Sequence, residues 1–328
     1  MKPVIAITLG DFNGVGPEIA LKAASNPAVR KLCTPILIGP LNILEYVQKQ
    51  FKIRLKLQKA VSPWRNASAT PVLDVGDGLW ADIQYGRPTK ASGRNAGVAI
   101  EKAVELCTGG RASAMVTAPV SKEGLNMAGY SFPGQTEMVA LLSRSQRVAM
   151  MLVSRTMRVG LVTIHTALRN AADAISQEKI LEKVSIVHEA LLHNFHVQKP
   201  AIAVLALNPH AGEQGLIGKE ELEIIIPAVQ SMQKLGLPVQ GPFSADAFFG
   251  TGNYKRYDAI VAMYHDQGLI PLKMSSFGKG VNFSAGLKII RTSPDHGTAY
   301  DIAGTGKANI TSMVEAIKLA VAFTKNHD

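Results

Sequence analysis

The sequence predicts an α/β protein of two domains, each built on a mostly parallel sheet with helices on both faces. Three observations carry that prediction. Strand-like and helix-like stretches alternate along the whole chain, which is the pattern of βαβ units. Several strand-like runs are short, rich in Val, Ile and Leu, and closed by polar residues, as central strands covered on both faces are. At 328 residues the chain exceeds what one ordinary core holds.

Taken in order, residues 4–9 form the first strand. The opening Met1-Lys-Pro-Val-Ile-Ala-Ile-Thr8 shares with a signal peptide only a lysine before an apolar run, which breaks at Gly10-Asp11. A helix over 17–24, a strand over 35–38 and a helix over 41–50 follow. Residues 49–59 alternate apolar and basic side chains with period two, predicting a half-exposed strand with a solvated basic face. Residues 62–92, which hold Pro63, Pro71, Pro88 and several glycines, read as a surface excursion. Next come a strand over 112–117, a helix from about Lys122, strands over 150–153 and 158–164, and a helix over 178–195. Strand 201–207, helix 220–235, strand 259–264 and a closing helix over 310–324 complete the chain.

Composition narrows the class of function. Apolar residues make up 47% and charged residues 18%, the balance of a folded, enzyme-like chain rather than a disordered one. Cys33 and Cys107 lie in apolar surroundings and give no disulfide framework, so a reducing, cytoplasmic compartment is the expectation. No apolar stretch approaches the ~20 residues of a membrane span. The net charge of +10 admits nucleic acid as a partner, yet the basic residues are not interleaved with aromatics, which are 6% of the chain. An anionic small substrate or cofactor explains the excess at least as well.

Three histidines share one setting, each following a buried-type apolar run: His165 after Val159 to Ile164, His210 after Ala201 to Leu207 and an Asn-Pro, and His265 after Ala259 to Tyr264. All three would leave the sheet at strand C-terminal ends, where open α/β sheets bind ligands, and converging neutral imidazoles make a metal site with open positions. The spacings are too long for a local metal motif, and three unrelated histidines at strand ends would give the same pattern. His188, His193 and His196 lie in a polar, helix-like stretch and read as solvated or half-buried.

Other stretches also carry candidate chemistry. The turn from Gly10 through Gly14 and Gly16 to Pro17-Glu18 joins the first strand to a helix start, where a backbone approaches anions closely, although it lacks the GxGxxG order. Pro133-Gly-Gln135-Thr136-Glu137 opens another helix, and Thr136 would cap it or hold a ligand hydroxyl or phosphate. Lys273, Lys279, Asn282 and Arg291 suit a phosphate or carboxylate site, or a solvated basic loop. The stretch from Ser293 to Asn309 gathers glycines, His296, Asp295 and Asp301 into a long loop, and such loops are usually functional.

Together, Ile164-His165, Leu207-Asn-Pro-His-Ala-Gly-Glu213, Met263-Tyr-His-Asp-Gln-Gly268, Gly280-Val-Asn282, Ile290-Arg-Thr-Ser293 and Asp295-His-Gly-Thr-Ala299 resemble the successive signatures of the 4-hydroxythreonine-4-phosphate dehydrogenase family of vitamin B6 biosynthesis. The motifs occur in that family's order from Gly10 to the last helix. The resemblance implies an isocitrate/isopropylmalate dehydrogenase-like fold of two α/β/α domains, with the active site in the interdomain cleft. Residues 1–130 and 275–328 would form the cofactor-side domain, and 131–274 the metal-binding and dimerisation domain. It implies His165, His210 and His265 as metal ligands drawn from both subunits of a homodimer, with Asp266 supporting them. Gln135, Thr136, Lys273, Asn282 and Arg291 would hold the substrate and its phosphate. Gly10, Gly14, Gly16, His296, Gly297, Ala299, Asp301 and Asn309 would face NAD. Asp246 and Lys122 are the candidate proton acceptors. At position 135 this chain carries glutamine where the family pattern has histidine.

The implied reaction is a metal-dependent oxidation of a secondary alcohol by NAD, giving a 3-oxo acid that loses carbon dioxide to leave 3-amino-2-oxopropyl phosphate. Three histidines favour zinc, with cobalt, nickel or magnesium open. The rival readings are a sibling dehydrogenase of 4-phospho-D-threonate or 4-phospho-D-erythronate, a metal-dependent hydrolase, and a non-catalytic phosphate-binding protein.

Overall fold

The computed structural model describes residues 2–60, 64, 69–76, 82–132 and 134–325, which divide into two compact units, 1–146 with 287–328, and 147–286. The first unit opens with strands β1 (Val4–Thr8), β2 (Thr34–Gly39), β3 (Leu57–Lys59), β4 (Thr70–Asp74) and β5 (Ala114–Thr117). Between them run helices α1 (Gly16–Ser25), α2 (Pro27–Leu32), α3 (Leu41–Gln50) and α4 (Lys90–Thr108), and after β5 come α5 (Lys122–Met127) and α6 (Gln135–Leu142). β1 is buried along its whole length and pairs in parallel with β2 on one side and β5 on the other. Such a strand has no polar face, which is why its sequence Val-Ile-Ala-Ile-Thr reads as a continuous apolar run.

The second unit holds β6 (Ala149–Val153), β7 (Arg158–Leu161), β8 (Ile202–Leu205), β9 (Val239–Phe243), β10 (Ala259–Ala262) and β11 (Val281–Ala285). Its helices are α7 (Gln177–His193), α8 (Ile226–Lys234), α9 (Ala245–Gly250) and α10 (His265–Ser276). The strand order is β11-β6-β7-β10-β8-β9; β7, β10, β8 and β9 run parallel, and β11 and β6 pair antiparallel at the other end. The chain then returns to the first unit with β12 (Arg291–Pro294), parallel to β5, and α11 (Thr311–Thr324), giving that unit the order β3-β4-β2-β1-β5-β12. Among the described residues no helix is long and apolar enough to cross a membrane.

Four expectations need correction. Residues 49–59 are not one strand: α3 runs to Gln50, the next residues are irregular, and only Leu57–Lys59 pairs. The stretch 62–92 is not simply a surface excursion, because it contains β4, whose Thr70 and Val72 are buried between β3 and β2, and Trp64 packs in the core. Its residues 62–63, 65–68 and 77–81 lie outside the described ones. The division at 130 falls too early, since Met138 and Val139 of α6 belong to the core of the first unit, and the division at 274 also falls too early, since β11 completes the second unit's sheet. The 19-residue α4 was not foreseen, because the buried face of its first half is Ser92, Gly93, Ala96, Gly97 and Ala99, and only its second half adds the larger Ile100, Val104 and Leu106.

Candidate functional site

The three histidines leave neighbouring strands at one sheet edge. β10 lies between β7 and β8, parallel to both, with Ala262 opposite Leu161 and Val261 opposite Val204. Side chains following the three strands therefore emerge at the same C-terminal edge. Past Leu161 the chain stays zipped to the next strand's continuation: Val162 N donates to Ala262 O at 2.9 Å, and Thr163 Oγ1 to Met263 O at 2.8 Å. This pairing brings the His165 and His265 rings to 6.1 Å between centroids. The two rings are tilted by 38° to one another, close enough to be neighbouring groups of one site. His265 Nδ1 lies 2.7 Å from Asp266 Oδ1. A carboxylate oxygen accepts, so Nδ1 carries the proton and Nε2 keeps its lone pair for a ligand.

His210 stands differently. Residues 210–214 all have left-handed backbone angles, from φ 52°, ψ 28° at His210 to φ 55°, ψ 31° at Gln214, and only Gly212 among them is a glycine. Each of the other four pays about 1–2 kcal/mol for that conformation, so surrounding structure must impose it. The side chain of Glu221, 1% exposed, does part of this: Oε1 accepts from Leu207 N at 2.7 Å and Asn208 N at 2.8 Å, and Oε2 from Asn208 Nδ2 at 2.9 Å. Asp246, exposed at the start of α9, is held below the usual carboxylate range by the Ser244 hydroxyl first, then by the Ala247 N–H, with His210 adding a smaller electrostatic pull. Such a carboxylate is ionised at neutral pH and weakly basic. Among the described residues of this single chain, no three His, Cys, Asp or Glu side chains are arranged to hold a metal ion. His165 and His265 come together, and His210 does not close the set.

Gln267 ties the edge together. It is 9% exposed, its Oε1 accepts from Met263 N at 2.8 Å, and its Nε2 donates to Ala206 O at 2.6 Å. One buried amide thus joins the segment leading to His265 with the segment leading to His210. Elsewhere in this unit Lys273 is exposed in the last turn of α10, and the Oδ1 of Asn282, in β11, is buried with no partner among the described residues.

In the first unit, Arg291 is fully buried on β12. Its Nε and Nη2 donate to Thr117 Oγ1 at 3.1 and 2.8 Å, and its Nη1 donates to Thr136 Oγ1 at 3.2 Å. Burial lowers its pKa to about 10, and the Glu137 carboxylate opposes that shift. Gln135 begins α6, and its buried Oε1 has no partner among the described residues. Lys122 begins α5, with its Cε 3.7 Å from the place a side chain on Gly134 would occupy. Arg291, Thr136, Gln135 and Lys122 therefore gather around one helix start.

The glycine turn and the 295–309 loop also come together in this unit. Val15 N donates to Thr298 O at 2.9 Å, and Tyr300 Oη donates to Asp11 Oδ2 at 2.8 Å. Added Cβ atoms at Gly10, Gly14 and Gly16 would strike Pro119 O, Thr298 O and Leu9 O within 2.6 Å. The protein's own packing therefore accounts for all three glycines. Burial raises the carboxyl of Asp11 above its ordinary range, with the Asn13 N–H working against it. Glu18 accepts from Lys22 and from Ala308 N, while Lys22 also donates to Gly306 O, so α1 anchors the far end of the loop. His296 has a buried Nε2 without a partner among the described residues, Gly297 opens on free space, Ala299 is left-handed and Asp301 is exposed. Asn309 Oδ1 accepts from Thr311 N, a local turn at the start of α11.

The residues missed from sequence are Glu221, Gln267, Thr117, Asp11 and Tyr300. A glutamine two residues after His265 and a glutamate in the helix after the His210 motif were the available signal for the first two, but most of their partners are main-chain groups, which no residue type marks.

The family model described as pyridoxal phosphate biosynthetic protein PdxA matches residues 31–320. The chain belongs to that family. It is an oxidoreductase by that membership and by its relatives. A 4-hydroxythreonine-4-phosphate dehydrogenase from Trichlorobacter lovleyi is 46% identical, the match covering 97% of each chain. A protein of Oceanobacillus iheyensis provisionally named D-threonate 4-phosphate dehydrogenase is 40% identical, covering 98% of this chain and 97% of that one. The crystal structure of 4-hydroxythreonine-4-phosphate dehydrogenase from Klebsiella pneumoniae matches with a TM-score of 0.88 at 38% identity, over 99% of this PdxA-family chain and 98% of that one.

Proposed function

We propose that the chain catalyses the NAD- and divalent-metal-dependent oxidation of 4-hydroxy-L-threonine 4-phosphate to 2-amino-3-oxo-4-phosphooxybutanoate, which decarboxylates to 3-amino-2-oxopropyl phosphate. The observation that carries this reading is the emergence of His165, His210 and His265 from three adjacent parallel strands at one sheet edge, two of the rings already 6.1 Å apart. A bound zinc ion would acidify the substrate hydroxyl as a Lewis acid, and NAD would accept the hydride.

The protein's own groups support the remaining roles. Asp266 fixes the His265 tautomer that leaves Nε2 free to ligate. Arg291 and Thr136 offer a guanidinium and a hydroxyl to a phosphate at the start of α6, whose N–H groups favour an anion. The Oε1 of Gln135 and Oδ1 of Asn282, without a partner among the described residues, suit donors on the substrate, its amino group among them. The pendant Nε2 of His296 and the open space at Gly297 fit a dinucleotide against the 295–309 loop, with Ala299, Asp301 and Asn309 beside them. Asp246, held ionised, is suited to attracting positive charge beside His210, and Lys122, at the helix start near Gln135 and Thr136, is the other candidate for the proton transfer.

Exposed apolar groups beside the histidines support assembly as a homodimer. Leu216, Ile217 and Leu222 are exposed just beyond the His210 turn, and Ile270, Met274 and Phe277 are exposed on and after the helix that begins with His265. Apolar groups flanking two halves of a set are what a second copy would cover. The reading is tested by following NADH absorbance with zinc and a panel of 4-hydroxythreonine, threonate and erythronate 4-phosphates. The first should lead; a lead for either sugar acid would reassign the substrate, and no NADH with any of them would remove the dehydrogenase reading.

A further inference from the structure

We infer that Glu221 is the positioning residue of His210: its buried carboxylate, gripping the backbone just upstream, holds the left-handed turn that presents the imidazole. The inference rests on the proposed role of His210 as a metal ligand.

Glu221 lies in a single π-helical turn, Glu221–Ile225, ahead of α8. Both its oxygens face backwards along the chain, onto the Leu207 and Asn208 N–H groups and the Asn208 amide. Asn208 also donates to Glu220 Oε2 at 2.7 Å, so the residue two before His210 is fixed through backbone and side chain together. The same carboxylate limits the turn from inside: a Cβ on Gly212 would lie 2.6 Å from Glu221 Oε2, at a backbone φ of 77° that L-residues rarely adopt. Ile217 N closes the far side onto Gly212 O at 3.1 Å.

A run of left-handed residues is held only when its surroundings over-determine it, and such runs concentrate at functional sites. An ordinary right-handed continuation after Pro209 would turn the His210 side chain away from its observed direction. The carboxylate is suited to preventing this because it satisfies three donors at once, two of them main-chain N–H groups at the end of a buried strand. Loss of Glu221 would free the turn without removing any ligand atom.

Zinc and cobalt binding to the protein test this, with NAD affinity measured on the same samples as a check on the fold. Glu221→Ala should weaken zinc binding by about 10–100-fold and leave NAD affinity unchanged. With cobalt in place of zinc, its visible absorption should coincide with that of His210→Ala and differ from wild type, a signature that general destabilisation does not produce. Glu221→Gln, which keeps one oxygen for the two N–H groups, should fall between the two. If Glu221→Ala does not fold, Gly212→Ala disturbs the same turn from the opposite side and should show the same spectrum. A wild-type cobalt spectrum with zinc affinity within about threefold of wild type would overturn the inference, whichever variant is measured. Should His210→Ala itself retain wild-type metal binding, the metal-ligand reading fails and the inference with it. Loss in His210→Ala but none in the Glu221 and Gly212 variants would sink the positioning role alone.

Discussion

Replacing Gln267 by leucine should loosen the histidine edge measurably. The side chain is 9% exposed and makes two hydrogen bonds to main-chain groups, Met263 N and Ala206 O. Leucine leaves both groups buried and unpaired at about 1–3 kcal/mol each. Its extra apolar surface returns about 1 kcal/mol, so the net loss is about 1–5 kcal/mol. Urea unfolding followed by far-UV circular dichroism, with chelator present, reads that loss. Because the two groups lead to His210 and His265, zinc affinity of the folded variant should also fall by about 10–100-fold. Gln267→Glu is the informative control. Its carboxylate accepts from Met263 N but can donate to Ala206 O only when protonated, and burial raises its pKa above the ordinary ~4.3. The folded variant then binds a proton that the unfolded chain releases, so its stability is greatest below that ordinary value and falls as pH rises through the raised one. A leucine variant within about 0.5 kcal/mol of wild type, or a glutamate variant that gains stability as pH rises, would refute the reasoning.

Arg291→Lys keeps a charge but cannot reach Thr117 and Thr136 together; binding of the phosphorylated substrate should weaken by about tenfold or more while NAD affinity holds, and equal losses would point to a folding defect. Gln135→His should change kcat/KM for 4-hydroxythreonine 4-phosphate modestly if the residue only orients polar groups, whereas a reordered ranking of 4-phosphorylated acids would make position 135 a selector. Asp11 has a carboxyl raised by burial, so its contribution to stability is fully present below its ordinary value of 3.8 and is lost as pH rises through the raised one. Urea midpoints of wild type and Asp11→Asn between pH about 4 and about 7 should therefore shift against wild type as pH rises, and parallel curves would exclude that contribution.

Much of this fold was legible because its central strands are buried on both faces. A run such as Ala259 to Ala262 can only be apolar, and the polar residues that end it mark the sheet edge. The setting of the three histidines followed from the same pattern. What stayed hidden has two physical causes. The helix over Lys90–Thr108 packs its first half through small residues, which carry little periodic signal, and gains larger apolar ones only from Ile100 onward. Glu221 and Gln267 act on main-chain groups, and a backbone N–H looks alike at every position, so no residue type advertises the partner. The left-handed turn at His210 was equally invisible, since His, Ala, Glu and Gln give no hint of it. The glycines of the first turn were visible, but the close packing that explains them is internal.

In the proposed homodimer, His165 and His265 of one protomer would hold a metal together with His210 of its partner. Mixing unfolded His210→Ala and His265→Ala chains in equal amounts, refolding them with zinc and measuring NADH formation tests it directly. A heterodimer would pair one intact His165–His265 set with one intact His210, leaving the other site doubly broken. With half of the dimers mixed and one of two sites intact in each, the account predicts about a quarter of the wild-type rate, against none for either variant alone. A mixture as inactive as its parents, from chains that refold to wild-type activity when unmutated, would contradict the shared site.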